Sequence, residues 1–168
     1  MRVLIVCTGN QCRSPMAEGL LRTMLAEATS ASAASTIEVT SAGTGTADGH
    51  PATEEAVAVC REAGIDIAAH RSRAATAELV ASSDLILAMQ AHHVMALRAL
   101  RPDAADRIQL LAAFAGEGEA VEVPDPIGQG LETYRQTFSA LRGFLQRALP
   151  RLRGLAGEVR RERRAREE

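Results

Sequence analysis

The 168-residue chain predicts an α/β fold, a single three-layer domain whose four-stranded parallel sheet is flanked by helices, and three observations carry that prediction. Short apolar runs of strand length alternate with longer segments of helical periodicity. Strands joined through helical segments imply a parallel sheet with right-handed crossovers. Neither an internal repeat nor an inter-domain linker interrupts the alternation, and the length suits one domain with a substantial core.

The elements follow in order. Residues 2–6 form a branched apolar run that reads as a fully buried strand. Residues 15–28 read as a helix with Met16, Leu20, Leu21, Met24 and Leu25 on one face. Residues 29–36 are a Ser/Ala/Thr stretch without periodicity, expected as a loop, and 37–41 form the second strand. Gly43, Gly45 and Gly49 form a turn cluster whose spacing is not that of a dinucleotide fingerprint. A helix is expected over 51–63, stopped by Gly64, then a short helix over 74–82, a strand over 84–89 and a helix over 91–100 that Pro102 ends. The fourth strand is 107–111, followed by a glycine-rich loop over 116–130 and a last helix from 131 to about 149. The domain is therefore bounded at 1–149. Residues 150–168 form a charged tail or an extension of the last helix: Leu152, Leu155 and Val159 share one edge, which Gly154 and Gly157 weaken.

Composition narrows the function classes. A net charge of −2 excludes a strongly basic nucleic-acid surface for the chain as a whole. The tail alone is net basic, with seven arginines against four glutamates, the mixed pattern of a solvated helix. No apolar run approaches the ~20 residues of a membrane span, and the chain enters a strand without a signal-like segment, so a cytoplasmic protein is expected. Aromatic content is 2%, which leaves Ala, Leu, Val and Ile to build the core. Cys7, Cys12 and Cys60 do not make a secreted disulfide scaffold. The cysteines lack nearby histidines, and adjacent His92 and His93 point in different directions on a helix, so no metal and no cofactor is expected.

The chemistry concentrates in Val3-Leu4-Ile5-Val6-Cys7-Thr8-Gly9-Asn10-Gln11-Cys12-Arg13-Ser14-Pro15. A strand delivers a cysteine, an arginine follows after five intervening residues, and Ser-Pro opens a helix. The backbone N–H groups of such a loop can converge on one anion, and the helix N-terminus adds partial positive charge. That field favours a thiolate nucleophile at Cys7. Arg13 supplies a planar fork able to grip two phosphoryl oxygens. Ser14 suits the helix N-cap with Pro15 after it, or alternatively donates to the Cys7 sulfur. Asn10 tolerates left-handed backbone and can shape the loop. Cys12 is either a loop-packing residue or a thiol that traps an oxidised Cys7 as a disulfide. His70 either braces this loop or is an exposed loop histidine. The strand-end position agrees with the rule that parallel sheets bind ligands beyond the carboxyl ends of their strands.

These residues resemble the low-molecular-weight protein tyrosine phosphatase family, whose signature is Cys-x5-Arg-Ser near the N-terminus with Gly-Asn and a second cysteine inside it. Thr40-Ser41-Ala42-Gly43, His70-Arg71-Ser72-Arg73 and Asp84-Leu85-Ile86-Leu87-Ala88-Met89 extend the likeness, which spans about residues 2–149. The resemblance implies a phosphate-binding loop after the first strand, formed by Thr8, Gly9, Asn10, Gln11, Cys12 and Ser14. It also implies a general acid on a distant Asp-Pro loop, supplied here by Asp125-Pro126, although Pro124-Asp125-Pro126 is also ordinary turn chemistry. The implied reaction is cysteine-dependent hydrolysis of phosphorylated proteins through a phosphocysteine, with phosphate or a related oxyanion in the site. Tyrosine-specific members carry an aromatic residue after Asp-Pro and a bulky aliphatic before the second cysteine. Here those positions hold Ile127 and Gln11, and Cys-Thr-Gly-Asn-x-Cys-Arg-Ser-Pro-Met-Ala-Glu with Asp-Pro-x-Gly resembles a bacterial branch that acts on phosphoarginine. The expectation leans to phosphoarginine with phosphotyrosine open.

Three alternatives compete. Thioredoxin-coupled arsenate reductases share the fold and a similar loop but need two further redox cysteines in a later segment, and only Cys60 lies beyond the loop. A phosphocarrier has no use for the acid, and a non-catalytic phosphate-binding module has no need of both Cys7 and Asp125.

Overall fold

A computed structural model describes residues 1–29 and 37–167. The loop expected over 29–36 lies, beyond its first residue, outside the described residues. Strands β1 (Arg2–Cys7), β2 (Glu38–Gly43), β3 (Leu85–Ala88) and β4 (Ile108–Leu110) form one sheet in the order β2-β1-β3-β4. All three pairings are parallel, with Cys7 opposite Gly43 and Val6 opposite Ala88. The helices are α1 (Arg13–Thr29), α2 (Glu54–Glu62), α3 (Ala77–Ser82), α4 (Ala91–Leu100), α5 (Leu111–Phe114) and α6 (Leu131–Glu167), with a 3-10 helix over Pro102–Arg107.

Side chains alternate across a strand, and β1 is apolar on both faces because both are covered. Val3, Ile5 and Cys7 face the core shared with α1, α2 and α6, while Leu4 and Val6 join Ile86, Ala88, Leu97 and Ile108 on the other side. The chain leaves β1 for β2 on one side and reaches β3 on the other. The carboxyl end of β1 is thus the switch point at which such sheets hold ligands, and Cys7 stands there.

Several boundaries differ from the sequence expectation for local reasons. Helix α2 starts at Glu54, not 51, because the Thr53 hydroxyl accepts the Ala56 N–H as its cap, while Pro51 bridges to Arg71. Helix α3 starts at Ala77, not 74, with Thr76 capping through Leu79 N–H. Strand β2 runs on to Gly43 because that residue still pairs with Cys7. Strand β4 stops at Leu110, one residue short of the expected 107–111, since Leu111 opens the one-turn helix α5, which the sequence does not signal.

Helix α6 runs 37 residues, about 55 Å at 1.5 Å per residue. It passes through Pro150, whose missing N–H and ring clash disfavour a helix interior. Burial of Leu145, Ala148, Leu152 and Ala156 carries one apolar stripe across the proline. At the far end, Arg163 Nη2 bonds both Asp84 carboxylate oxygens at 3.0 and 2.9 Å, and Asp84 also accepts the Arg2 N–H at 2.7 Å. Packing and not charge should dominate this extension. Leu152→Ala is expected to lower unfolding free energy by about 2–5 kcal/mol, and Arg163→Ala by no more than about 1 kcal/mol, both read from urea denaturation.

Candidate active site

The loop after β1 is held by its carbonyls. Cys7 O accepts Thr44 N–H (2.9 Å), Thr8 O accepts Gly45 N–H (3.0 Å), Gln11 O accepts Thr53 N–H (2.9 Å) and Cys12 O accepts Met16 N–H (3.2 Å). Asn10 O lies 2.7 Å from His70 Nε2, so His70 braces the loop from outside. In a planar trans peptide the N–H points opposite to the preceding C=O. Drawing these five carbonyls outward therefore turns the N–H groups of Thr8, Gly9, Gln11, Cys12 and Arg13 inward, which makes an anion nest. Asn10 takes the left-handed conformation with φ 52°. Its Oδ1 accepts Arg73 N–H at 2.9 Å, and its Nδ2 donates to Ser14 Oγ and Ser41 Oγ at 2.8 and 2.9 Å. Gly43 admits no side chain, because a Cβ there would sit 2.4 Å from Thr8 O.

Cys7 Sγ lies 3.0 Å from Ser14 Oγ and 3.3 Å from the Asn10 nitrogen, whose N–H donates to it. Ser14 Oγ already accepts from Asn10, so its own proton is directed to the sulfur. Ser14 is thus not the N-cap: α1 opens one residue earlier, at Arg13, and the serine hydroxyl serves Cys7. Behind it, Ser41 donates to Glu18, which is paired with Arg22 at 2.6 Å.

Arg13 is 1% exposed. Its Nη1 donates to Gln90 Oε1 and to Val123 O at 2.8 Å, and its Nη2 lies 3.1 Å from Asp125 Oδ2. Its Nε is, among the described residues, a buried polar atom with no hydrogen-bond partner. Nε and Nη2 share one edge of the guanidinium, the edge suited to two oxygens of one oxyanion. That edge carries a single contact, to an aspartate on a half-exposed loop.

The Asp125 loop is moored at its base. Val123 N–H donates to Met89 O at 2.9 Å, and Glu122 accepts Ala91 N–H at 2.6 Å and Gln90 Nε2 at 3.4 Å. The Ala91 N–H and the Gln90 amide hold the Glu122 carboxyl below its ordinary range. Asp125 Oδ1 accepts Ile127 N–H at 3.2 Å, and Ile127 itself is 56% exposed. Cys12 meets the helix side of the site. Thr53 donates to the Tyr134 oxygen (3.3 Å), so the Tyr134 proton points to Cys12 Sγ, 3.2 Å away. Burial pushes the Cys12 thiol up.

The structure gathers Cys7, Thr8, Asn10, Cys12, Arg13, Ser14 and Asp125 around one point, with Gly9 and Gln11 in the loop between. Gln90, His93, Ser41, Glu122 and Tyr134 escaped the sequence reading. One signal for Gln90 existed: it follows β3 at the carboxyl end beside β1, where the switch-point rule places ligand groups. His93 was visible only as half of an unpromising His-His pair. Among the described residues, no three His, Cys, Asp or Glu side chains gather as metal ligands, and no helix is long and apolar enough to cross a membrane.

The family model described as low molecular weight phosphotyrosine protein phosphatase matches residues 2–165. The chain is 35% identical over 151 residues to a protein-arginine-phosphatase of Geobacillus stearothermophilus, covering 90% of this chain and 95% of the relative. It is similar in structure to a low molecular weight protein tyrosine phosphatase from T. tengcongensis, with TM-score 0.81 and 39% identity over 90% of this chain and 99% of the other. It is also similar to the YwlE arginine phosphatase solved as a Cys-to-Ser mutant with a phosphorylated active-site serine, with TM-score 0.80 and 32% identity over 98% and 99% of the two chains.

His93 gives this site a measurable pH signature. Burial first, then His92 and Arg13, push its pKa down to about 4, against a weaker pull from Glu122. Between about 4 and the unfolded value near 6.5, the unfolded chain binds a proton that the folded chain refuses, so stability rises with pH across that window. The urea midpoint should fall as pH drops from 7 to 4.5, with His93 contributing at most about 3 kcal/mol. His93→Gln should flatten that part of the profile.

Proposed function

This chain belongs to the low molecular weight phosphotyrosine protein phosphatase family, and on that premise we propose that Cys7 is its nucleophile, Arg13 its oxyanion clamp and Asp125 its general acid. The protein is a cysteine-dependent phosphatase of phosphotyrosine or phosphoarginine. The observation that carries the assignment of roles is the unpartnered Nε on the Nε–Nη2 edge of Arg13, beside the inward N–H groups and the Cys7 sulfur. A phosphoryl group bound there presents its phosphorus to Cys7 with its equatorial oxygens on the nest and the arginine.

In the first step the Cys7 sulfur forms a bond to phosphorus as the bond to the leaving oxygen or nitrogen breaks, and Asp125 gives that atom its proton. In the second, Asp125 takes a proton from water, whose oxygen displaces sulfur and releases inorganic phosphate. The acid is needed because phenoxide, with a conjugate-acid pKa of about 10, is a poor leaving group, and a guanidine nitrogen is poorer still. Ser14 stabilises the sulfur anion as it is regenerated.

We infer phosphoarginine as the preferred substrate. Exposed Ile127 offers no aromatic wall for a phenyl ring, and Gln11, in the position before Cys12, can hydrogen-bond a guanidinium. An arsenate reductase relay finds no support: Cys60 is sealed in the core with its thiol pushed up to about 12.

Phosphate release from phosphoarginine and phosphotyrosine peptides, measured side by side, decides the preference; faster turnover of phosphotyrosine would reverse it. Cys7→Ser should abolish release from both. Asp125→Asn should lower kcat by about 10²–10⁴-fold and yet lower the inhibition constant of inorganic phosphate, because it removes the carboxylate that competes for Arg13 Nη2.

A further inference from the structure

We propose that His93 is a positioning residue of the phosphate loop, acting on Thr8 from the same helix turn that holds Arg13 and the Asp125 loop. The inference rests on the reading of residues 7–14 as that loop. His93 lies in the first turn of α4 with no exposed surface. Its Nδ1 accepts the Gln90 N–H at 3.1 Å, which fixes the ring proton on Nε2. Nε2 is 2.7 Å from Thr8 Oγ1 and therefore donates to it. Both ring nitrogens are thus engaged, and the neutral imidazole is a strut with no alternative partner.

Thr8 is the residue after the nucleophile, and it is tied twice: its carbonyl to Gly45 N–H and its hydroxyl to His93. The Cys7 carbonyl on Thr44 N–H and the Thr8 carbonyl on Gly45 N–H set the peptide planes on either side of Thr8, and the His93 bond fixes the Thr8 side chain and so the residue between those planes, from which the first inward N–H groups of the nest project. The turn that carries His93 does more. Its N-cap residue Gln90 holds Arg13 Nη1, and Glu122 grips Gln90 Nε2 and Ala91 N–H from the base of the acid loop. Residues 90–93 accordingly touch all three parts of the reaction machinery, and His93 is the arm that reaches the nest. An aliphatic side chain would fill the same space, but it would leave Gln90 N–H without its acceptor and the Thr8 hydroxyl without its donor.

The test is a double-mutant cycle on the full chain: wild type, Thr8→Val, His93→Leu, the double variant, and His93→Gln, which can return a donor to the Nε2 position. The readouts are the dissociation constant for inorganic phosphate by calorimetry, kcat and KM on phenyl phosphate, and the melting temperature. Thr8→Val and His93→Leu should each weaken phosphate binding by about three- to tenfold, the worth of one buried hydrogen bond. The double variant should be no weaker than the worse single, and His93→Gln should regain most of the affinity. Losses that multiply in the double variant, or phosphate affinity unchanged while only the melting temperature falls, would overturn the proposal. If His93→Leu does not fold, Thr8→Val and His93→Gln decide alone, and wild-type affinity in Thr8→Val is fatal. A wild type that binds phosphate but shows no Cys7-dependent turnover refutes the proposed function, while normal turnover with uncoupled Thr8 and His93 refutes only this inference.

Discussion

The guanidinium of Arg13 is a charge removed from water, and much of the architecture at the end of β1 exists to compensate it incompletely. An isolated buried charge is prohibitively unfavourable, so it must be paired and hydrogen-bonded. Here Nη1 is satisfied by two neutral acceptors, Gln90 Oε1 and Val123 O, which fix its direction without cancelling its charge. Among the described residues its anionic partner is Asp125, which comes from a loop and touches Nη2. Leaving Nε unpaired costs about 1–3 kcal/mol, a cost that the oxyanion of the proposed reaction would recover. On the proposed reading, the unmet hydrogen bond is affinity held in reserve for a tetrahedral oxyanion.

The nest obeys a complementary constraint. Five residues cannot aim their N–H groups at one point unless something outside the loop takes the five carbonyls that precede them. Donors from four other segments do so: Thr44 and Gly45 after β2, Thr53 before α2, His70 further along, and Met16 in α1. Two local features make the approach sterically possible. Asn10 accepts a left-handed backbone because its amide repays the strain with three hydrogen bonds, and Gly43 lets β2 close on Thr8 O where any Cβ would clash. Loop shape, and hence the field at Cys7, is a property of the whole carboxyl end of the sheet.

This division explains what could be read from sequence. The apolar run of β1, the Cys-x5-Arg spacing and the left-handed tendency of Asn10 are local facts, and the strand-loop-helix they imply is what forms. Asp125 was legible through the family likeness of its Pro-Asp-Pro loop. Gln90, His93 and Tyr134 were not, because each is defined by a partner 77 to 122 residues away, and their own neighbourhoods look like any helix start or helix face. Ser14 was open between two readings, and the structure takes the donor to Cys7. Ser-Pro after a loop has the chemistry of an N-cap, yet a buried sulfur needing a donor outcompetes a helix end that Cys12 O already opens. The extent of α6 beyond Pro150 was decided by Leu152 and Ala156 finding core to pack against, a tertiary effect that outweighs the local cost of the proline.

The role proposed for Asp125 as general acid sets two demands that pull against each other. Asp125 must be exposed enough to meet a leaving group carried on another protein, and placed reproducibly enough to transfer a proton in line with the attacking sulfur. The structure separates the two along the loop. Glu122 and Val123 are moored to the start of α4, and only the tip from Asp125 to Ile127 projects, closed by the Asp125 Oδ1 bond to Ile127 N–H. Because Val123 O also accepts from Arg13 Nη1, the loop's base is hydrogen-bonded to the guanidinium proposed as the oxyanion clamp. In the proposed reaction Asp125 would exchange its contact with Nη2 for the phosphoryl group, and the contacts of Glu122 and Val123 anchor the loop on the near side of that exchange.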